Sequence, residues 1–297
     1  MSATITTQRL LLNPLAITDS SFILELVNTK EWLTFIGDRN VYTNADAKVY
    51  IQKIIDDPNK RYWVVRFSNN NAPMGVVTFI KRDYSEFHDI GCAFLPSYTN
   101  NGYAYEGTSA VLEHIIQAAQ FTRISSITTA NNIRSIKLLN KLGLEFIRTI
   151  ENDDESLQLY EASVDRILIA GLTKSFFSAF TNKGNAKPDL DILAEICIPE
   201  ILIADKRRSK VDIFDLTTFI RKTRSILTDG TLIDFEEKEV SEETKVVNGI
   251  AVRYSQYEKK GIVYRQRFKI RGHKMFQFVK LSKAWKISSI LWEDEEN

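Results

Sequence analysis

Residues 94–104, FLPSYTNNGYA, decide how the rest of this 297-residue chain is interpreted. An apolar run, a proline and a polar turn lead into Gly102. Apolar residues then follow at helical spacing, at Val111, Leu112 and Ile115. This order predicts a strand, a loop and a helix. A helix that begins after a glycine-containing loop offers unbonded backbone N–H groups and the positive end of its dipole, so the stretch is a candidate site for a phosphate or pyrophosphate.

A second stretch, residues 131–144 (NNIRSIKLLNKLGL), predicts another helix. Asn132 and Ser135 are capping-type side chains at its start. Apolar residues bury one side, and Gly143 stands where a left-handed C-terminal cap belongs. The chain opens with a third motif, residues 7–15 (TQRLLLNPL), which has the pattern of a strand.

These three motifs, in this order, resemble the GNAT acetyltransferase superfamily, and the opening resembles its ribosomal-protein (Rim-type) branch. The resemblance spans residues 5–160. It implies an α/β GNAT acetyltransferase fold, with a mixed twisted sheet flanked by helices, and acetyl-CoA as the co-substrate.

The resemblance also implies which residues hold acetyl-CoA. The backbone of Phe94 and Leu95 would pair with the pantetheine arm, and Asn132 and Ser135 would hydrogen-bond the cofactor. For these two side chains, helix capping alone is the competing interpretation. The pyrophosphate loop would consist of Asn100, Asn101, Gly102, Tyr103 and Ala104.

The chain departs from the family pattern at four positions. Thr99 replaces the usual Arg or Gln before the loop, and Asn13 replaces an Arg of the first strand. Leu144 replaces a Phe, and Leu139 replaces the Tyr that acts as general acid in many relatives. The backbone donors of the loop are unaffected by these changes.

Asp89 is the predicted general base, because it takes the place of a family glutamate on the strand that the amine would approach. Glu86 is a reserve, and Ser135 is counted as a candidate catalytic residue as well as a cofactor ligand. An exposed Asp89 that merely attracts a cationic acceptor is the competing interpretation. A covalent acetyl-cysteine route through Cys92 is disfavoured, because nothing nearby in the sequence indicates a lowered thiol pKa. Direct transfer in a ternary complex is therefore expected.

Composition narrows the possible classes of protein. The net charge is +1, from 39 basic and 38 acidic residues, so we expect neither a nucleic-acid nor a membrane partner. The chain shows no signal-peptide pattern at its start, and with two well-separated cysteines we expect a cytoplasmic protein with free thiols. Its few histidines and cysteines form no metal-spaced cluster, so no metal site is predicted.

The second half of the chain predicts helices over residues 164–180, 189–196 and 214–227. Five strands are then predicted, over residues 232–240, 244–257, 262–271, 274–281 and 284–292. This order resembles the nuclear transport factor 2-like (SnoaL-like) superfamily, an α+β cone. The expected domains are therefore residues 1–162, the GNAT N-acetyltransferase domain, and residues 165–297, the nuclear transport factor 2-like domain.

The function implied by the two resemblances is acetyl transfer to a primary amine, at a protein N-terminus or on a small molecule. The C-terminal domain would form a homodimer or bind a ligand. Two alternatives stay open: a non-catalytic acyl-CoA sensor or scaffold, and chemistry in a C-terminal pocket. A basic strand with Arg265, Arg267, Lys269 and Arg271 on one face could bind an anion, although a solvated face is the more common meaning of such a pattern.

Overall fold

The computed structural model describes residues 4–83, 85–118, 121–152, 155–207, 209–282 and 284–295. The chain divides into an N-terminal unit, Met1–Ile167, and a C-terminal unit, Leu168–Asn297. The division falls inside one helix, and Ile167 packs in the core of the N-terminal unit. Ile167 therefore belongs to the first core, although it lies beyond the expected end of the GNAT domain at residue 162.

Within its described residues, the N-terminal unit has one eight-stranded sheet and five complete α-helices, in a mixed order of strands and helices. The strands are β1 (Ile5–Thr6), β2 (Leu10–Pro14), β3 (Lys60–Phe67), β4 (Pro73–Lys81), β5 (His88–Phe94), β6 (Arg123–Thr129), β7 (Glu145–Asn152) and β8 (Glu155–Ser163). The helices are α1 (Ser20–Val27), α2 (Lys30–Phe35), α3 (Asn44–Ile55), α4 (Tyr103–Ala118) and α5 (Ile133–Lys141).

The sheet order is β1-β2-β3-β4-β5-β6-β8-β7, and β5 and β6 are parallel. Its two faces carry separate apolar cores, because side chains alternate along each strand. On one face, Val64, Val76 and Leu95 pack under α1, α2 and α3. On the other face, Ile90 and Cys92 pack toward α4 and α5. Each residue of β5 is thereby assigned to one face of the sheet.

The C-terminal unit combines three helices with a six-stranded sheet of order β10-β9-β14-β13-β12-β11. The helices are α6 (Val164–Ser178), which enters from the N-terminal unit, α7 (Ile192–Ile196) and α8 (Leu216–Thr228). The strands are β9 (Cys197–Arg207), β10 (Lys210–Phe214), β11 (Leu232–Val247), β12 (Ile250–Val263), β13 (Gln266–Leu281) and β14 (Ala284–Asp294).

Two strands of the C-terminal unit, β9 and β10, have no counterpart in the sequence-based prediction. A proline normally argues against a strand interior, and Pro199 lies inside β9. The parallel pairing of β9 with β14 shifts register around it, from Cys197 opposite Ile287 to Leu202 opposite Ser289. The irregular register accommodates the proline.

Of the predicted breaks in the long meander, the one between residues 281 and 284 is confirmed and the others are wrong. β11 continues through a bulge between Glu239 and Ser241, and β13 continues through Gly272. A Cβ at Gly272 would lie 2.6 Å from the Glu293 carbonyl oxygen and would meet the Tyr257 ring, so this glycine marks a close approach and not a turn. One real turn contains Tyr264 and Arg265, both with positive φ, which removes Arg265 from the predicted basic strand.

Candidate functional site

The loop between β5 and α4 has the conformation that the phosphate prediction requires. A short 3-10 turn, Pro96–Tyr98, follows β5, and Asn100 and Gly102 then adopt φ angles of 64° and 81°. These left-handed residues turn the chain into the sixteen-residue helix α4. The first amides of α4 belong to Tyr103 and Ala104, and the first turn of a helix leaves such groups without a helical acceptor. The predicted loop residues are thus brought together at the positive end of a long helix.

Arg9 holds this loop in place, a role that the sequence motif did not assign to it. Its Nη1 donates to the Asn101 carbonyl oxygen at 3.2 Å, and its Nε donates to Glu106 Oε2 at 2.7 Å. Its guanidinium lies 4.6 Å from the centre of the Tyr103 ring. Although partial burial favours the protonated acid, hydrogen bonds from Thr7 and Arg9 lower the pKa of Glu106. The segment between β1 and β2 therefore holds the end of the loop and the first turn of α4 in place.

β5 and β6 part immediately before this loop. Both strands are described in full, and they pair in register at one position, Asp89 opposite Ser125. On its other side, β5 pairs with β4 over seven consecutive positions. The Ile90 carbonyl faces β6, since it accepts a hydrogen bond from Ser126 at 2.8 Å. By strand alternation, the peptide groups of Cys92 and Phe94 face the same side, next to the parting.

Leu95 does not fit the predicted backbone role. Its N–H donates to the Met74 carbonyl at 2.9 Å, and its own carbonyl accepts from the Tyr98 N–H at 3.0 Å. Both of its polar backbone groups are therefore already bonded within the protein. Of the two strand residues predicted to pair with pantetheine, Phe94 is the one whose position suits the role.

The second predicted motif forms α5 and begins at Asn132. The Asn132 side-chain oxygen accepts from the Ser135 backbone N–H at 3.1 Å, so the capping role is present. Ser135 lies half-buried in the first turn. Leu139, at the position of the family's acid, is buried in the apolar core and can neither donate nor accept a proton.

Asp89 is buried, with 3% of its surface exposed, which corrects the interpretation of an exposed strand-end carboxylate. Its Oδ1 accepts from Arg82 Nη2 at 3.2 Å and its Oδ2 from the Ile127 N–H at 3.1 Å. Burial raises the pKa of the Asp89 carboxyl, while Arg82 and the Ile127 amide oppose the shift. The reserve residue, Glu86, contributes its carbonyl oxygen to Lys81 Nζ at 2.9 Å.

The face that carries Asp89 has a half-exposed row across its central strands. Register places Tyr62 opposite Thr78 and Thr78 opposite Gly91, and all three are half-exposed although they lie in the middle of the sheet. A Cβ at Gly91 would lie 2.9 Å from Thr78 Oγ1, so the absence of a side chain at Gly91 leaves room for the Thr78 hydroxyl. Burial raises the pKa of Tyr62, whose hydroxyl bonds to that of Tyr50. This row is a half-exposed strip on the face of the sheet that carries Asp89.

Cys92 lies on the opposite face of the same strand, toward α4. Burial raises the pKa of its thiol to about 11, so the thiolate is scarce at neutral pH. This agrees with the expectation that Cys92 is not a nucleophile. Among the described residues, no group of histidine, cysteine and carboxylate side chains is arranged to hold a metal ion.

The interior of the C-terminal unit is filled by a buried lysine and aromatic rings. Lys274 Nζ lies 2.9 Å from Glu237 Oε2 and 4.7–5.5 Å from the ring centres of Phe176, Phe177, Tyr257 and Trp292. Burial lowers the pKa of Lys274, although Glu237 opposes the shift. Phe276 and Trp285 are also buried in this core. On the outer face, Lys269 and Arg271 pair with Glu258.

Comparison with known proteins gives the family of the N-terminal unit. The acetyltransferase (GNAT) domain family matches residues 9–145. The chain contains a GNAT acetyltransferase domain. This match, together with the relatives described next, identifies the protein as an acetyltransferase enzyme.

Curated relatives and solved structures cover the same part of the chain. An uncharacterised N-acetyltransferase of Bacillus subtilis, YnaD, is 29% identical over 140 residues, which are 47% of this chain and 81% of the relative. The uncharacterised protein YkkB of the same organism is 24% identical over 139 residues, 41% of this chain and 81% of its own. A GCN5-related N-acetyltransferase structure from Brucella melitensis has the same fold, with a TM-score of 0.51 and 11% identity over 59% of this chain and 85% of that one.

The C-terminal unit lies outside the family match. It is a second, sheet-rich domain, and its assignment to the nuclear transport factor 2-like superfamily stays a prediction. Among the described helices, none has the length and apolar character needed to span a bilayer.

The loop assignment predicts that Gly102→Glu abolishes the binding of acetyl-CoA. The new side chain would place a carboxylate beside the first amides of α4, where it competes with pyrophosphate and repels it. Isothermal titration with coenzyme A measures the loss, which we expect to exceed about 100-fold. Gly230→Glu is the matched control, because Gly230 has a similar φ of 86° and open space around it in the C-terminal unit. Equal affinities for the two variants would contradict the assignment.

Proposed function

We propose that the protein transfers an acetyl group from acetyl-CoA to a primary amine, directly and in a ternary complex. The observation that carries the proposal is the parting of β5 and β6 just before a loop that leads into the first turn of α4. An extended acyl-thioester arm can enter the parting while its pyrophosphate meets the start of α4. Phe94, the loop from Asn100 to Ala104, Asn132 and Ser135 are the proposed cofactor-binding residues.

The acceptor amine would approach over the half-exposed row of Tyr62, Thr78 and Gly91. This row lies beside the parted strands, so an amine above it can reach a thioester carbonyl held between them. Holding both reactants in this way supplies much of the rate enhancement in a direct transfer. Backbone donors of β5 that face the parting would stabilise the oxyanion that forms on the carbonyl. Asp89 as the general base and Ser135 as a catalytic hydroxyl remain predictions.

Several finer assignments belong to this proposal. The opening motif around Arg9 supports the Rim-type branch, whose members acetylate protein N-termini, although small amines remain possible acceptors. The free thiols of Cys92 and Cys197 suit a cytoplasmic protein. A C-terminal unit of the nuclear transport factor 2-like type would serve as an interaction domain, since its interior is filled by Lys274 and aromatic rings.

A thiol-release assay tests the proposed reaction. Acetyl-CoA would be offered with a panel of peptides, polyamines and aminoglycosides, and free coenzyme A would be measured over time. We expect release that requires an amine and reaches a turnover in the ordinary range, about 1 s⁻¹ or faster. Binding of acetyl-CoA by calorimetry, with no release for any acceptor in the panel, would favour the alternative function of a non-catalytic acyl-CoA sensor.

The outer face of the C-terminal sheet supports a homodimer. A row of apolar residues crosses five strands in direct register, formed by Tyr254, Met275, Leu291, Ala204 and Ile213. Of these, Met275, Leu291 and Ile213 are 53%, 42% and 67% exposed, whereas Ala204 is 7% exposed. Several exposed apolar side chains at matched positions on one face of a sheet favour an interface. A copy related by a two-fold axis would place the same row against itself.

The dimer proposal predicts that Met275→Glu converts the protein to a monomer. The substitution buries a carboxylate at the centre of the row, where it has no partner. Light scattering coupled to size exclusion measures the mass of each variant. Ile226→Glu is the control, because Ile226 is 42% exposed but lies on α8. A wild-type protein that is monomeric at micromolar concentration would refute the homodimer.

A further inference from the structure

We propose that Asp89 is a positioning residue that ties β5 to β6, together with Ser126, at the point where the two strands part. The proposal rests on the proposed acetyl transfer, since it states what keeps the thioester groove in register. It gives Asp89 a role different from that of a general base.

The tie consists of two reciprocal hydrogen bonds between side chain and backbone. From β5, the Asp89 carboxylate accepts from the backbone N–H of Ile127 at 3.1 Å. From β6, the Ser126 hydroxyl donates to the backbone carbonyl of Ile90 at 2.8 Å. Each strand thus uses a side chain to bond a peptide group of the other. We call these two bonds the clasp.

The clasp stands where a parallel ladder would otherwise continue. β5 and β6 pair in register at Asp89 and Ser125. The two clasp bonds extend beyond this pair, to Ile127 on β6 and to Ile90 on β5. Ser125 adds a bond on the closed side, since its hydroxyl lies 3.1 Å from the His88 carbonyl. A side chain is longer than a backbone group, so it can bond across strands that have begun to separate. The geometry therefore fixes the position at which the parting starts.

Because the clasp is buried, its two hydrogen bonds are costly to break. Asp89 and Ser126 are each 3% exposed, and Ser125 is 1% exposed. Buried polar groups that lose a partner are costly, because water cannot replace the lost bond. The strands therefore cannot slide or close without leaving a carboxylate, a hydroxyl or a peptide group unsatisfied. This requirement holds the strands at one separation.

The same contacts argue against proton transfer by Asp89. One oxygen bonds Ile127 and the other bonds Arg82 at 3.2 Å, so both already accept from the protein. A general base must come within hydrogen-bond reach of the amine, and this carboxylate is enclosed. Arg82, the charged partner of Asp89, has a side chain that is 32% exposed, whereas the Asp89 side chain is 4% exposed. The Asp89 carboxylate thus has the surroundings of a group that positions the backbone of β6.

Four variants separate the two roles: Asp89→Asn, Asp89→Ala, Ser126→Ala and the control Ser20→Ala. Asparagine keeps an oxygen that can accept from Ile127, whereas alanine does not. The clasp predicts that Asp89→Asn retains kcat within about 10-fold of wild type, while Asp89→Ala loses about 100-fold. The clasp also predicts that Ser126→Ala loses about 10-fold or more in kcat/KM, because this substitution removes the hydrogen bond to the Ile90 carbonyl. Ser20 is a buried serine on α1, and its replacement should change neither constant.

The opposite results would show that Asp89 is the general base. If Asp89→Asn and Asp89→Ala both lose about 100-fold or more in kcat while Ser126→Ala behaves like wild type, Asp89 transfers protons and the proposal is wrong. Should Asp89→Ala fail to fold, the Asp89→Asn and Ser126→Ala pair decides in the same way. A wild-type rate for Ser126→Ala overturns the clasp in every case.

Amide hydrogen exchange keeps the test independent of catalysis. The clasp predicts that the Ile127 amide is protected in the wild type and in Asp89→Asn, and exchanges at least about 10-fold faster in Asp89→Ala, or in its absence in Asp89→Leu. An Ile127 amide that exchanges at one rate in all variants would overturn the proposal. If the wild type exchanges as predicted but acetylates no amine, the proposed function fails and the clasp stands.

Discussion

The single in-register pairing between β5 and β6 is the constraint on which the candidate site depends. Beyond Asp89 and Ser125 the two strands separate, so peptide groups that a continuous sheet would pair are left beside an opening. A buried polar backbone normally finds a partner, and an extended arm with amide groups can supply one. The loop held by Arg9 and the start of α4 lie directly after this opening. The proposed cofactor recognition would therefore use mostly backbone, and the loss of a family side chain at Thr99 would be tolerable.

Much of the N-terminal unit could be predicted because its signals are local. The glycine at position 102 and the cap at Asn132 each act within a few residues, so the sequence shows them directly. The surroundings of Asp89 could not be predicted, because its partners Arg82 and Ile127 come from a loop and a strand 7 and 38 residues away. The same holds for Arg9, whose partner Glu106 is 97 residues distant. A side chain's burial and its hydrogen-bond partners are properties of the tertiary fold.

For the C-terminal unit, the sequence predicted the strand content but not most of the turns. Alternating residues correctly predicted a strand-rich meander, but its breaks were misplaced at Gly272 and missed at Tyr264. Gly272 resembles a turn residue, yet it lies under Tyr257, and Tyr264 adopts a positive φ without being a glycine. Long-range packing overrides turn propensity at both positions. The apolar row that includes Met275 and Leu291 becomes visible only when the registers of the sheet are known.

The most direct test of the central claim is hydrogen exchange of the wild-type protein with and without coenzyme A. Binding in the parting of β5 and β6 predicts added protection at the amides of Phe94, Tyr103 and Ala104. It predicts unchanged exchange in β12 and β13 of the C-terminal sheet. Protection that appears in β12 and β13 while the start of α4 exchanges as before would contradict the account.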